Sequence, residues 1–255
     1  MPRARISHLS LALVGLAALL GVWVLLATRY TVEQLPGPLQ VARAWLELLR
    51  EGGLLAHIRI SLARFGAAYA LALLTALPLG LVLGWSTRGL QALNPAIQVL
   101  RPISPIAWFP LAVLWFGVGN APAVFIIFLS AFFPMLLATV SGVRDVPPGY
   151  LRVAANFGTR RLRLFRSVIL PAAFPTIVVG MRIAVGTAWI HLVAGEMLGA
   201  QTGLGFLIVD ARNFLRTDQI LAGMLTIGLL GLAIDRLMNL GERRLRRIWG
   251  AEGSA

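Results

Sequence analysis

"VAANFGTRRLRLFRSVILP", Val153 to Pro171, places four arginines between apolar stretches of membrane-spanning length. Tyr150, Val153, Ala154 and Phe157 fall at i, i+3, i+4 and i+7, one face of an amphipathic helix. Gly158 interrupts that face, as a helix stop or as a point of close approach. Leu162, Phe165 and Ile169 continue an apolar stripe, with the arginines mostly off it. Pro171 opens the next apolar run, where a first-turn proline is well tolerated. Periodicity allows two readings. In one, the segment is a membrane-surface helix with its arginines on anionic headgroups. In the other, it is a docking helix whose apolar side fits a groove on a soluble partner.

The chain around it has 255 residues, of which 58% are hydrophobic and 13% charged, with a mean hydropathy of +0.81. A soluble domain carries about a quarter charged residues, so the composition implies an integral membrane protein, and the helix-length apolar runs make its expected fold class all-α. All 23 basic residues are arginine, and the net charge is +13. The hydropathy argues against nucleic acid as the partner of that charge and for cytoplasmic loops. The absence of lysine excludes a Walker A nucleotide site and Schiff-base chemistry from this chain. The absence of cysteine excludes thiolate catalysis and Cys-ligated metals. His8, His57 and His191 form no metal-binding spacing, so neither a metal nor a catalytic site is expected.

Six spans are expected, at about 9–27, 65–85, 102–118, 121–143, 171–198 and 220–240, within one membrane domain over 1–255. The first exceeds a typical signal-peptide core and lacks a small-x-small exit, which favours an uncleaved helix. Val41 to Leu49 reads as a short amphipathic helix after the "LPGP" turn, and Leu90 to Leu100 as an interfacial lead-in. Pro78 should kink the second span, and Pro105 and Pro110 the third. With the first helix starting in the cytoplasm, fourteen arginines lie inside and six outside; Arg64 and Arg101, at boundaries, are not counted. The positive-inside rule therefore places both ends of the chain and segment 144–167 in the cytoplasm.

Gly158, nine residues and then "VILP" resembles the EAA signature of ABC importer permeases, which reads Glu-Ala-Ala, three residues, Gly, nine residues, Ile-x-Leu-Pro. Val153 and Ala154 take the two small positions; Arg152 stands where the family has Glu. "RPISPIAWFPLAVLWFGVG", "PAAFPTIVVGMRIAVGTAWIHLVAGEM" and "TGLGFLIVDARNFLRTD" are similar to the nitrate/sulfonate/taurine branch, from about Leu35 to Trp249. The resemblance implies a six-helix type I importer (MetI-like) fold, working as a homodimer in a bacterial inner membrane. It implies a coupling helix, carried here by Val153, Ala154, Ala155, Phe157, Gly158, Leu170 and Pro171. It implies cytoplasmic ATPase subunits that bind the Mg-ATP, and a periplasmic or lipid-anchored solute-binding protein. The permease itself would be no enzyme and hold no cofactor. It names no solute, though a small anion fits the branch.

Intramembrane ionisable residues default to functional hypotheses. Arg182 either attracts an anionic solute or is tied to backbone carbonyls or to Glu196. Glu196 is read as half of an ion pair or as a substrate contact. Trp189 and His191 line the pathway or pack inside. Asp235 and Arg236 read as snorkelling boundary charges. Trp108, Phe109, Trp115 and Phe116 form an interface belt or an aromatic lining. An ion-coupled secondary transporter is the rival, but it calls for acidic or His relays and inverted repeats that the sequence lacks. A membrane-embedded enzyme would need clustered nucleophile, base or metal ligands.

Overall fold

The computed structural model describes residues 8–50, 53–159 and 161–248. They form α1 (His8–Ala27), α2 (Pro38–Arg50), α3 (Gly53–Trp85), α4 (Thr87–Leu100), a 3₁₀ turn (Pro105–Trp108), α5 (Phe109–Phe116) and α6 (Asn120–Arg144). Then come α7 (Pro148–Asn156), α8 (Arg161–Leu164), a π turn (Phe165–Ile169), α9 (Leu170–Gly199), α10 (Leu204–Asn213) and α11 (Thr217–Ile248). No strand occurs among the described residues.

The core is a three-helix seam in which α6 packs between α3 and α9. Lipid tails are as apolar as leucine, so close backbone approach, not hydrophobicity, holds such helices together. The sequence supplies small residues at helical spacing for this. Ala68, Ala72, Ala76 and Gly80 form the buried edge of α3, and Ala173, Gly180, Ala184 and Ala188 that of α9. A β-carbon on Gly80 would lie 2.6 Å from Thr139 Cβ, and one on Gly180 would overlap Ala138. Larger side chains face outward, among them Leu71, Leu74 and Val82 of α3 and Leu229, Leu232 and Leu237 of α11.

Among the described residues, four helices are long and apolar enough to cross a membrane: α3, α6, the rod Leu162–Gly199, and α11 to Glu242. α1, at the place expected for the first span, is apolar over Leu11–Ala27, a shorter stretch than in those four. It joins the rest through Trp23 Nε1, which donates to Pro36 O at 3.1 Å.

Three expectations need correction. The third span is not one helix over 102–118: Thr87–Leu100 and Pro105–Phe116 form a pair bent by 87°, which together give a fifth candidate crossing. Pro102 and Pro105 flank the break, where the missing N–H groups cannot continue a helical ladder. The helix that carries the second span begins at Gly53, ahead of Phe65, because His57, Arg59, Ser61 and Arg64 ride on it. The fifth begins before Pro171: Leu162–Gly199 is continuous, about 57 Å at 1.5 Å per residue. Pro171 has no N–H for Ser167 O, and the ladder widens just ahead of it, with Leu170 N–H donating to Phe165 O.

Candidate coupling surface and translocation pathway

α7 starts at Pro148, a position whose missing N–H costs a helix nothing. It ends in a Schellman motif. Gly158 N–H donates to Ala155 O at 2.9 Å and Thr159 N–H to Ala154 O at 3.0 Å. Gly158 has φ +68, and a β-carbon there would meet nothing within 4 Å. The glycine is therefore a helix stop, not a close-approach point. Of the expected coupling residues, Ala154 is buried, while Val153 is 55% and Phe157 83% exposed. Tyr150, Val153, Ala154 and Phe157 share one concavity of ≈ 670 Å³ with Thr159 and Pro171, so the helix and the start of the following rod form a single surface. Ala155 is exposed and Leu170 half-buried. The apolar face read from the spacing is real, and the described residues leave most of it uncovered.

At the other end of the bundle, Glu196 is 1% exposed, and its carboxylate is enclosed by hydrogen-bond donors. Arg64 Nη1 reaches Oε1 at 2.7 Å, Ser61 Oγ donates to the carboxylate at 2.8 Å, and Gly205 N–H donates to Oε2 at 2.9 Å. Arg64 itself has five N–H donors, and each finds an acceptor. Besides Glu196 these are Thr202 O, Thr202 Oγ1 and, from both Nε and Nη2, Asn120 Oδ1. Leu204 N–H donates to Ser61 Oγ, and Gly203 N–H to His57 Nδ1, each at 2.9 Å. One saturated cluster thus ties α3, the start of α6, the end of α9 and the loop into α10. Glu196 is half of an ion pair, and its partner is Arg64, not Arg182.

Gly203 shows how tightly the cluster is built. Its φ is +106, and a β-carbon would run into the Glu196 carboxylate. Gly203→Ala is expected to destabilise the protein by about 2 kcal/mol, through overpacking and backbone strain. Gly66→Ala on the same bundle has open space and should be neutral or stabilising. Melting of the two variants in detergent checks this contrast.

Arg182 pairs with Asp235 at 3.1 Å, the two side chains 46% and 48% exposed. Asp235 also accepts from Asn239 Nδ2 of its own helix at 3.0 Å, and the Arg182 pair makes it an interhelical partner rather than a lone boundary charge. Both line a cavity of ≈ 560 Å³ between α9 and α11. Trp189 borders the same cavity but is mostly buried, its Nε1 donating to Ile227 O at 3.2 Å and Phe65 standing edge-on to its ring. His191 lies elsewhere, half-buried, with Nδ1 2.8 Å from Thr187 O, beside a separate cavity shared with Trp108. Trp115 packs edge-on to Phe116 and Phe125. The four expected pathway residues thus fall in three places: one cavity for Arg182 and Trp189, another for His191, and the buried cluster for Glu196. Among the described residues, no group of acidic or His side chains could hold a metal ion.

A bundle of apolar spans with a broken helix pair and an uncovered amphipathic helix at one end is the build of a transport permease. The chain matches the binding-protein-dependent transport system inner membrane component family over residues 76–247, and it belongs to that family. A probable ABC transporter permease of Brucella melitensis is 37% identical, over 95% of this chain and 98% of its own length. The taurine transport system permease protein TauC of Escherichia coli is 36% identical, over 94% of this chain and 88% of its own. The nitrate import permease protein NrtB of Synechococcus elongatus is 36% identical, over 88% of this chain and 85% of its own. The methionine ABC transporter MetNI, in an inward-facing conformation, shares the fold at a TM-score of 0.63 and 18% identity, covering 77% of this chain and 95% of that one. The chain is therefore an ABC importer permease of the inner membrane. The family implies ATPase and solute-binding partners. This places it outside the secondary transporters.

Proposed function

We propose that this permease carries a small anion, driven by ATP that separate subunits bind with Mg²⁺ and hydrolyse, and that α7 is the element those subunits grip. The carrying observation is α7 itself: a rigidly capped helix whose Val153 and Phe157 the described residues leave 55% and 83% exposed. Exposed aromatic and branched side chains on an amphipathic helix are what a groove on a partner buries. Closure of two ATPase subunits would pull on α7 and, through Pro171 and the continuous rod, on α9. Nucleotide shifts the pore between states only by binding those states differently. The chain itself carries out no catalysis and holds no cofactor in this reading.

The anion rests on the nitrate and aliphatic sulfonates that relatives' names print, with taurine sharing the sulfonate head, and on Arg182 within the span. A half-exposed ion pair such as Arg182–Asp235 is costly against lipid. It belongs on a water-filled pathway between two copies of this chain, with lipid on the remaining apolar faces. Glu196 and the buried part of Trp189 hold the scaffold; Arg182 and His191 face the cavities. Reconstituted into liposomes with its ATPase and binding protein, the permease should drive ATP-dependent uptake of a labelled sulfonate or of nitrate. Uptake of neither anion would contradict the anionic assignment.

Orientation follows from the arginine bias: both chain ends and α7 in the cytoplasm, the Glu196 cluster at the periplasmic side. The binding protein, free in the periplasm or lipid-anchored, would deliver solute there. Native cysteine is absent, so Asn156→Cys and Gln201→Cys, both at exposed positions, are clean probes. A membrane-impermeant maleimide added to intact cells is expected to label Gln201→Cys and not Asn156→Cys. The reverse pattern would invert the topology.

A further inference from the structure

One arginine lines a cavity that the proposed function leaves unused. Arg101 stands at the break between α4 and the 3₁₀ turn, its backbone N–H donating to Ile97 O at 2.9 Å, while its exposed side chain makes no hydrogen bond or ion pair to any described residue. It lines a cavity of ≈ 420 Å³ with Trp108, Ser130, Phe133, Thr187 and His191. That volume lies within the roughly 300–1,000 Å³ of small-molecule sites. Ser130 and Phe133 sit at the middle of α6, and Thr187 near the middle of α9. The cavity is therefore at mid-height of the spans, where an unpaired guanidinium is expensive. Irregular backbone at that depth, such as the break that carries Arg101, persists only against protein or beside a wet cavity.

The rest of the wall sets the ligand class. Ser130 Oγ is spent on Ile127 O at 2.7 Å, and Thr187 Oγ1 lies 3.0 Å from Ser130 O. Because a carbonyl only accepts, His191 Nδ1 carries the proton toward Thr187 O, which leaves Nε2 as the spare polar atom. The other lining residues, including Ile103, Leu129, Leu137 and Ile183, are apolar. The site offers one strong cation and a large apolar wall.

We propose that this cavity binds an organic monoanion, its compact oxyanion head on Arg101 and its apolar body against Trp108 and Phe133. The proposal rests on the anion-permease reading and narrows it: a hydrated inorganic oxyanion such as nitrate has no apolar body to offer the wall. Guanidinium suits a sulfonate or carboxylate because its fork of donors matches the oxygens in pairs.

The test uses the permease–ATPase complex in lipid nanodiscs without binding protein, and radiolabelled 1-hexanesulfonate as the probe. Saturable binding is expected, displaced by unlabelled 1-hexanesulfonate but not by equal concentrations of 1-hexanol or nitrate. Arg101→Gln should weaken it by about tenfold or more, and Arg101→Lys by less, since the charge is kept. Trp108→Ala should weaken 1-hexanesulfonate binding as well. Melting temperatures confirm that the variants remain folded. No saturable binding to the wild-type complex, equal binding by Arg101→Gln, or nitrate competing as well as 1-hexanesulfonate would overturn the site. A complex that still hydrolyses ATP and transports nitrate would then leave the permease reading intact and remove only this cavity. Failure to form the ATPase complex at all would instead strike the coupling assignment.

Discussion

Arg64→Met is expected to lower stability by about 3–5 kcal/mol, read as a fall in melting temperature in detergent on the order of 10 °C. The substitution keeps most of the side-chain volume and removes only the guanidinium. It leaves the Glu196 carboxylate buried at 1% exposure with its counter-charge gone. It also strips donors from Asn120 Oδ1, Thr202 O and Thr202 Oγ1. Breaking one side of a buried pair costs more than the pair is worth, because the remaining charge has no water to return to. Arg64→Met/Glu196→Met should recover part of the loss, since the orphaned charge disappears while Asn120, Thr202 and Gly205 still lack partners. The half-exposed Arg182–Asp235 pair is the control: Asp235→Asn should cost about 1 kcal/mol or less. A melting temperature for Arg64→Met equal to that of Asp235→Asn would show that the cluster does not hold that end of the bundle together.

Phe157→Asp is expected to abolish co-purification of the ATPase while leaving the permease folded. Phe157 is 83% exposed, so its own chain loses almost no packing. A partner groove that buried the ring would face an unpaired carboxylate instead, at a loss of about 2–4 kcal/mol, thirtyfold or more in affinity. Gly158→Arg should act differently. The β-carbon has room, but the residue must hold φ +68, so the Schellman cap weakens by about 1 kcal/mol. The long cationic side chain then projects from the docking surface. Gly158→Ala carries the first penalty without the second, and should keep most of the coupling.

These two ends of the bundle differ in how far the sequence reveals them. α6 is plain because 23 uncharged residues between "GVGN" and Arg144 admit no other structure. α7 is plain because Tyr150, Val153, Ala154 and Phe157 recur at helical spacing and Gly158 stops the pattern. The Arg64 cluster is hidden because its members are distant in the chain: 132 residues separate Arg64 from Glu196, 138 from Thr202 and 56 from Asn120. A hydropathy reading ends the second span at its first polar residues, whereas the helix runs on through them once tertiary partners satisfy each donor. Arg182 found Asp235 rather than Glu196 for the same reason, since pairing across a bundle depends on rotation about helix axes that periodicity does not fix. The 87° bend after α4 could be suspected from Pro102 and Pro105 but not its angle. Arg101 opens the stretch "RPISPIAWFPLAVLWFGVG", but nothing in that pattern singles it out: it matters through the cavity beside it, which only the fold creates.

The coupling of α7 to ATP hydrolysis is the claim on which the functional account turns. Its most direct test is the ATP-hydrolysis rate of proteoliposomes holding permease and ATPase, with and without solute-loaded binding protein. Wild-type permease is expected to respond to the loaded binding protein with a several-fold rise in rate, and Phe157→Asp to show none. A Phe157→Asp transporter that responds as strongly as wild type would contradict the assignment of α7 as the coupling helix.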